Sequence, residues 1–254
     1  MNLLFGTYNL EFGGIDHGDA ARLTRQLAML ADARADVWAL QECSGWADPR
    51  TRTLGTVEEA LGMRGYLCDG AHGFPLAVLV RESSGIKVIE QRHEERSPYW
   101  HGVAHVVAEV PGHGTIRFAS AHLAPSSPTL RAVEAEAFAL IAALDDLGPL
   151  IAGGDWNAYP TGDPWPDTDG MNPAKVRRKQ DTRAAEALEE HMTDVAAHLN
   201  DRTPTVGHRR ADKLAYRADR IYTTLPYPAI TACRVIREEH PESDHRPALA
   251  AFTL

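Results

Sequence analysis

Gly148-Pro149-Leu150-Ile151-Ala152-Gly153-Gly154-Asp155-Trp156-Asn157 is the stretch on which the reading of the fold turns. A Gly-Pro turn opens it, and Leu150, Ile151 and Ala152 follow as a short apolar run, the pattern of a fully buried strand. Two glycines then remove the side chains just ahead of an acid and an amide. Asp155 and Asn157 are thereby expected at the carboxyl end of a core strand, on backbone that a ligand can approach closely. On extended chain, residues i and i+2 point the same way, so the carboxylate and the amide face one spot. An acid after Gly-Gly is also a common turn residue, so the neighbouring segments decide its meaning.

Before this stretch, Leu3 to Leu10 alternates as a strand and ends in Asn9 and Glu11. Asp19 can cap a helix running to about Arg34, with Leu23, Leu27 and Leu30 on one face. Val37 to Gln41 reads as a second buried strand, ending at Glu42, and a short helix follows with Leu54, Val57 and Leu61 inward. Strands are expected near 65–69, 75–81, 86–92, 101–110 and 115–123, with turn residues between them that suggest antiparallel meanders. Ser127-Pro128 opens a helix over 128–146, with Val133, Phe138, Ile141 and Leu144 facing inward. After the central strand, 158–180 reads as a long loop rich in Pro, Gly and Asp, and 181–198 as a helix. Strands at 216–224, 229–237 and 248–253 close the chain. Strands with helices interspersed and no linker point to an α/β or α+β layered sandwich, one domain over 1–254.

The 254 residues are 44% hydrophobic and 24% charged, ordinary for a globular protein with a sizeable core. No basic leader and no long apolar segment is present, so neither a secretory signal nor a membrane span is expected. Cys43, Cys68 and Cys233 are scattered and odd in number, which reads as core thiols in a reducing compartment, a cytoplasmic location. A formal charge of −9 excludes a protein that coats nucleic acid by bulk electrostatics. It leaves room for a local basic face: 175–220 holds eleven Lys/Arg against eight acids.

The informative pattern is that several strands end in the same chemistry. Asn9 and Glu11, Glu42, His122, Asp155 with Asn157, Asp219, and Asp244-His245 all stand at expected strand ends. Polar groups gathered at one set of strand ends form the rim where layered α/β folds bind ligands. Carboxylate and amide oxygens are hard ligands suited to Mg²⁺ or Mn²⁺, not zinc, and histidines beside them move protons or stabilise anionic charge. Together they fit hydrolysis of a phosphate ester.

Six short segments carry a family resemblance: Tyr8-Asn9-Leu10, Leu40-Gln41-Glu42, Ser120-Ala121-His122-Leu123, Gly153 to Asn157, Arg217 to Tyr222 and Ser243-Asp244-His245-Arg246-Pro247. In this order the chain resembles the endonuclease/exonuclease/phosphatase superfamily, which includes AP endonucleases, pancreatic-type deoxyribonucleases, neutral sphingomyelinases and inositol-polyphosphate 5-phosphatases. The resemblance covers residues 7–247 and implies a four-layer α/β/β/α sandwich of two mostly antiparallel sheets flanked by helices. It implies that Asn9, Glu42 and Asp244 serve the metal, Mg²⁺ or Mn²⁺, with Glu42 the most direct ligand and Glu11 an optional acid. Asp155 would orient or deprotonate the attacking water, and Asn157 would hold a phosphate oxygen. His245 would stabilise phosphoryl charge, with Asp219 fixing its tautomer, and His122 is a candidate acid for the leaving oxygen.

Plainer readings stand beside these. Asp219 could instead be a structural partner of Arg217 or Arg220, Ser243 to Pro247 could be a simple turn before the last strand, and Arg81 reads as a surface arginine. His17, His72, His101 and His208 show no ligand spacing and are assigned nothing. Lys175, Arg177, Arg178 and Lys179 would flank the site, with Arg177 and Arg178 as substrate contacts. Trp156, Tyr159 and Trp165 either stack on a base or pack the loop. The expected activity is that of a metal-dependent phosphodiesterase, foremost a nuclease acting as a monomer on DNA or RNA. A phosphodiesterase or phosphatase for a small-molecule or lipid phosphate ester is the alternative, followed by a binding-only member of the family.

Overall fold

The computed structural model of the chain describes residues 1–209, 213–238 and 240–254. Arg210 and Asp212, counted above in the basic window, lie outside the described residues. Two six-stranded sheets pack face to face. The first runs β11 (Ile230–Val235), β12 (Ala248–Thr253), β1 (Asn2–Asn9), β2 (Val37–Gln41), β4 (Leu76–Arg81), β3 (Met63–Cys68). The second runs β5 (Lys87–Gln91), β6 (Val103–Val110), β7 (Gly114–His122), β8 (Leu150–Asp155), β10 (Asp219–Thr223), β9 (Thr193–Asp194).

Each sheet is antiparallel except for one central parallel pair, β1–β2 and β7–β8. Those pairs create the site. In a parallel pair both carboxyl ends reach the same edge, so Asn9 registers beside Gln41 and His122 beside Asp155. β10 runs antiparallel to β8, which brings its first residue, Asp219, opposite Asp155. β12 runs antiparallel to β1, so the segment leading into it arrives at the same rim.

Side chains alternate between two cores. Phe5, Val37, Ala39, Val78, Phe118, Ile151 and Phe252 fill the space between the sheets. Trp38, Leu40 and Leu79 point outward, under α1 (Ala21–Ala33) and α2 (Thr53–Leu61). Tyr222 and Trp156 lie under α3 (Pro128–Ala142) and α5 (Arg183–Glu189). Strands covered on both faces read as continuous apolar runs, which is why Leu150-Ile151-Ala152 shows no alternation. Each Leu, Ile or Phe so buried contributes about 1.5–3 kcal/mol. The two glycines of β8 are required by crowding. A Cβ on Gly153 would meet Thr7 Cβ at 2.6 Å across the sheets, and one on Gly154 would meet the Ala121 carbonyl oxygen at 2.3 Å.

The structure corrects three expectations. The helix at 128–146 ends at Ala142, and its inward face is Arg131, Glu134, Ala135 and Phe138; Val133 and Leu144 are exposed. The loop 158–180 contains α4 (Pro173–Lys179), with Asn172 accepting from the Ala174 and Lys175 amides as its cap. The helix expected over 181–198 is broken, because Thr193 and Asp194 pair with β10 as β9 and α6 (Val195–His198) follows. Trp156 and Tyr159 are buried and pack the fold, while Trp165 stacks on Tyr159 at 4.6 Å and stays exposed. Among the described residues no helix is long and apolar enough to cross a membrane.

Candidate active site

Beneath the rim, a small polar network locks the two sheets together. Gln41 Nε2 donates to Ser120 Oγ (2.9 Å) and Thr7 Oγ1 (3.2 Å), and Ser120 Oγ donates to the Leu40 carbonyl (2.8 Å). All three side chains are buried, so this floor fixes how the strand ends above it face one another.

Asp155 occupies the centre. Its Oδ1 accepts the Asn157 amide N–H at 3.0 Å. Its Oδ2 accepts Asn9 Nδ2 at 3.2 Å and lies 3.4 Å from His122 Nε2 and 3.6 Å from His245 Nε2. Burial alone would raise this carboxyl; His245, His122, Lys179 and the Asn157 N–H outweigh it and hold the group at about 2. Asp155 is therefore ionised at any working pH.

His245 Nδ1 sits 2.8 and 3.0 Å from the two oxygens of Asp219, so Nδ1 donates and Nε2 faces Asp155. Burial disfavours the imidazolium, but Asp219 and Asp155 overcome that and push His245 well above its ordinary range. Burial raises Asp219 in turn, against the lowering by His245. Asp219 thus pairs with His245, not with the neighbouring arginines. Arg217 is taken by Asp163 (2.9 Å) and Asp194 (2.8 Å). The segment holding His245 is anchored by Ser243, whose Oγ donates to the Asn9 carbonyl (2.8 Å) and accepts the His245 N–H (3.1 Å).

On the other side, Asn9 Nδ2 bridges two acids, Asp155 Oδ2 and Glu42 Oε1, at 3.2 Å each. Glu42 Oε2 accepts the Phe12 N–H at 3.1 Å. Glu11, Phe12, Glu42 and Asn157 all have left-handed backbone, with φ of 56, 55, 56 and 51°. Such conformations cost of order 1–3 kcal/mol in non-glycine residues and gather at functional sites. Asp244 contacts Glu11 through its N–H (3.2 Å) and His245 Nε2 through its carboxylate (3.8 Å), and has no polar contact with Glu42 or Asn9.

Asn157 Nδ2 donates to the Leu123 carbonyl (3.1 Å), and its Oδ1 accepts from Lys179 Nζ at 2.7 Å. Lys179 was expected only in the flanking cluster; it reaches the centre because α4 carries it back. His101, assigned nothing from sequence, stacks on His122 with ring centres 4.2 Å apart. Glu134 pins the segments around both rings through the Trp100 and Ala124 amides, at 2.5 and 2.7 Å. No sequence signal marked that glutamate, since its partners are backbone atoms.

A cleft of about 540 Å³ opens beside Asn157 and His245, lined by Lys175, Arg178, Lys179, Arg209 and Lys213 among others. Arg177 is exposed and does not line it. Arg209 also pairs with Glu11 at 2.7 Å.

The residues fit a hard divalent cation. Glu42 Oε1 and Asp155 Oδ2 both face Asn9 Nδ2, at 3.2 Å each, so two hard carboxylates flank one spot, and Glu42 has no ion-pair partner among the described residues. Asp155, Asp219 and His245 also bring ligand atoms within 4.8 Å of one another, a candidate metal site that shares Asp155. The imidazole of that trio is engaged by both its carboxylates, which leaves the Glu42 side the freer of the two.

The family model described as the Endonuclease/Exonuclease/phosphatase family matches residues 6–245. The chain belongs to that family. It is a phosphoesterase, a hydrolase of phosphoester bonds. Solved structures share its fold at low identity. Humanized D. rerio TDP2 carrying 14 mutations aligns with a TM-score of 0.74 at 16% identity, over 100% of this chain and 99% of that one. D. rerio TDP2 complexed with a single-strand DNA product aligns at 0.73 and 16%, with the same coverage. An AP endonuclease from Archaeoglobus fulgidus aligns at 0.67 and 16%, over 99% and 100%. No curated protein matches the chain.

Proposed function

We propose that the chain is a divalent-metal phosphodiesterase that cleaves nucleic acid. The observation that carries this reading is the basic cleft, which places Lys175, Arg178 and Lys179 along one side of Asn157 and His245 in a protein of net charge −9. Positive charge concentrated there is suited to the phosphates that flank a scissile one. The D. rerio TDP2 complex with a single-strand DNA product supports the same direction.

Glu42 and Asp155 would hold the cation, Mg²⁺ or Mn²⁺, which when bound supplies Lewis-acid stabilisation of phosphoryl charge, and Asn9 Nδ2, which donates to both carboxylates, orients them. The protein groups do the rest. A carboxylate held at about 2 is a weak base, so Asp155 orients the attacking water more than it deprotonates it. His245, kept protonated by Asp219, and Lys179, held on Asn157 Oδ1, supply positive charge where the phosphoryl oxygens gain it. His122 Nε2 faces the same point and serves as the acid for the leaving oxygen.

A second reading, hydrolysis of a small phosphate ester, is favoured by the overall acidity and by a cleft sized for a small molecule. Cleavage of labelled single-stranded DNA and of bis(p-nitrophenyl) phosphate by Lys175→Ala/Arg178→Ala separates the two. The expected result is KM for DNA raised about tenfold with far less effect on the small diester. Equal effects on both, or a wild-type enzyme that cuts only the small ester, would displace nucleic acid as the substrate.

A further inference from the structure

The strand order gives the site two unlike sides. β12 packs on β10, β1 on β8, β2 on β7 and β4 on β6 and β7, so the rim runs from the β10–β12 side through Asp155 to the β4–β6 side. The basic cleft belongs to the first side, with His245 leading into β12. The second side carries rings. Phe12 contacts Phe74 at 6.1 Å, Phe74 meets His101 edge-on at 5.3 Å, and His101 stacks on His122 at 4.2 Å. Beside them Trp100 stacks on His72 at 4.1 Å.

Two features set this wall apart from ordinary packing. Phe12 is 57% exposed and Trp100 42% exposed, on a chain that buries most of its large rings. Phe12 is also held at φ 55°, a left-handed conformation unfavourable for a bulky side chain. That backbone gives its N–H to Glu42 and turns the ring outward at the mouth of the site. A ring contact path thus leads from solvent to His122, which touches Asp155. A group lying on the wall would adjoin the reacting phosphate. An uncharged planar group matches these rings, on a molecule whose other phosphates suit the cleft opposite.

We propose that Phe12, Phe74 and Trp100 form a stacking subsite for one unpaired nucleobase, on the side of the scissile phosphate away from the basic cleft. The inference rests on the nucleic-acid reading above and sharpens it: the substrate is single-stranded at that nucleotide, because a paired base cannot lie on the wall. Burial holds His101 down at about 3, so the ring beneath the wall is neutral and acts as an apolar platform.

The test uses a labelled single-stranded oligonucleotide whose cut position is mapped, and the same strand with one abasic residue on either side of that position. Wild type, Phe12→Ala and Trp100→Ala are compared. The expected result is that an abasic residue on one side only raises the wild-type KM on the order of tenfold. Either alanine variant raises KM similarly on the intact strand and is then insensitive to the abasic residue. Variants with wild-type KM, or losses from the variant and the abasic residue that simply add, would overturn the subsite while leaving the nuclease reading intact. A wild-type enzyme that cuts no oligonucleotide but does cut a small diester would overturn that reading, and the subsite with it. Loss confined to a soluble short-chain phosphodiester lipid would assign the wall to an acyl chain and overturn the nucleobase.

Discussion

Asp155 meets Asn157, Asn9, His122 and His245 through its two oxygens, and Lys179 acts on it through Asn157; these were legible to different degrees. Asn157, two residues away, follows from strand geometry; His245 and His122 came from motif order. Lys179 did not, because it lies in a segment that reads as a loop and reaches Asn157 only through α4. Asp155→Asn keeps the shape and removes the charge, so kcat is expected to fall by at least about a thousandfold with Tm changed by only a few degrees. Lys179→Met is expected to lower kcat/KM by about ten- to a hundredfold, the scale of one charge-assisted hydrogen bond. Asp219 raises His245 through its negative charge. Asp219→Asn removes that charge, so His245 loses its proton at lower pH, and the alkaline limb of the kcat–pH profile is expected to move to lower pH. An unmoved limb would take His245 out of the rate profile.

At the scale of elements, the strands were readable because burial on both faces leaves unbroken apolar runs. The helix faces were less so. Over 128–146 a hydrophobic count points Val133 and Leu144 inward, yet in α3 Arg131 and Glu134 are buried because backbone groups satisfy them. Pattern reading cannot see a backbone partner. The helix signal at Asn172-Pro173 was present, a cap followed by proline, but a short helix inside a Pro- and Gly-rich segment is masked by its surroundings. Glu134→Ala is expected to cost about 2–3 kcal/mol in urea unfolding, since it leaves the buried Ala124 amide and the partly buried Trp100 amide without their acceptor. Gly153→Ala, with its Cβ 2.6 Å from Thr7 Cβ, is expected to destabilise by about 1–3 kcal/mol through overpacking between the sheets.

For the whole molecule, two parallel strand pairs bring widely separated segments to one rim, and that topology made six scattered motifs informative. The ring wall was not legible, because His72, Phe74, Trp100 and Phe12 share no spacing and meet only through the order of β4 and β6. Burial, then Arg117 and Arg92, lower His105 to about 4. The unfolded chain takes up that proton near pH 6.5, so stability falls as pH drops from about 6.5 to about 4, by up to about 3 kcal/mol from this group. His105→Leu is expected to flatten the Tm–pH curve in that window. The proposed metal-dependent phosphoesterase centred on Asp155 is tested first by hydrolysis of bis(p-nitrophenyl) phosphate with Mg²⁺ or Mn²⁺, against chelator, by wild type and Asp155→Asn. Turnover that requires the metal and vanishes in the folded variant is the expected result. Turnover that survives chelation, or a variant as active as wild type, would contradict that proposal.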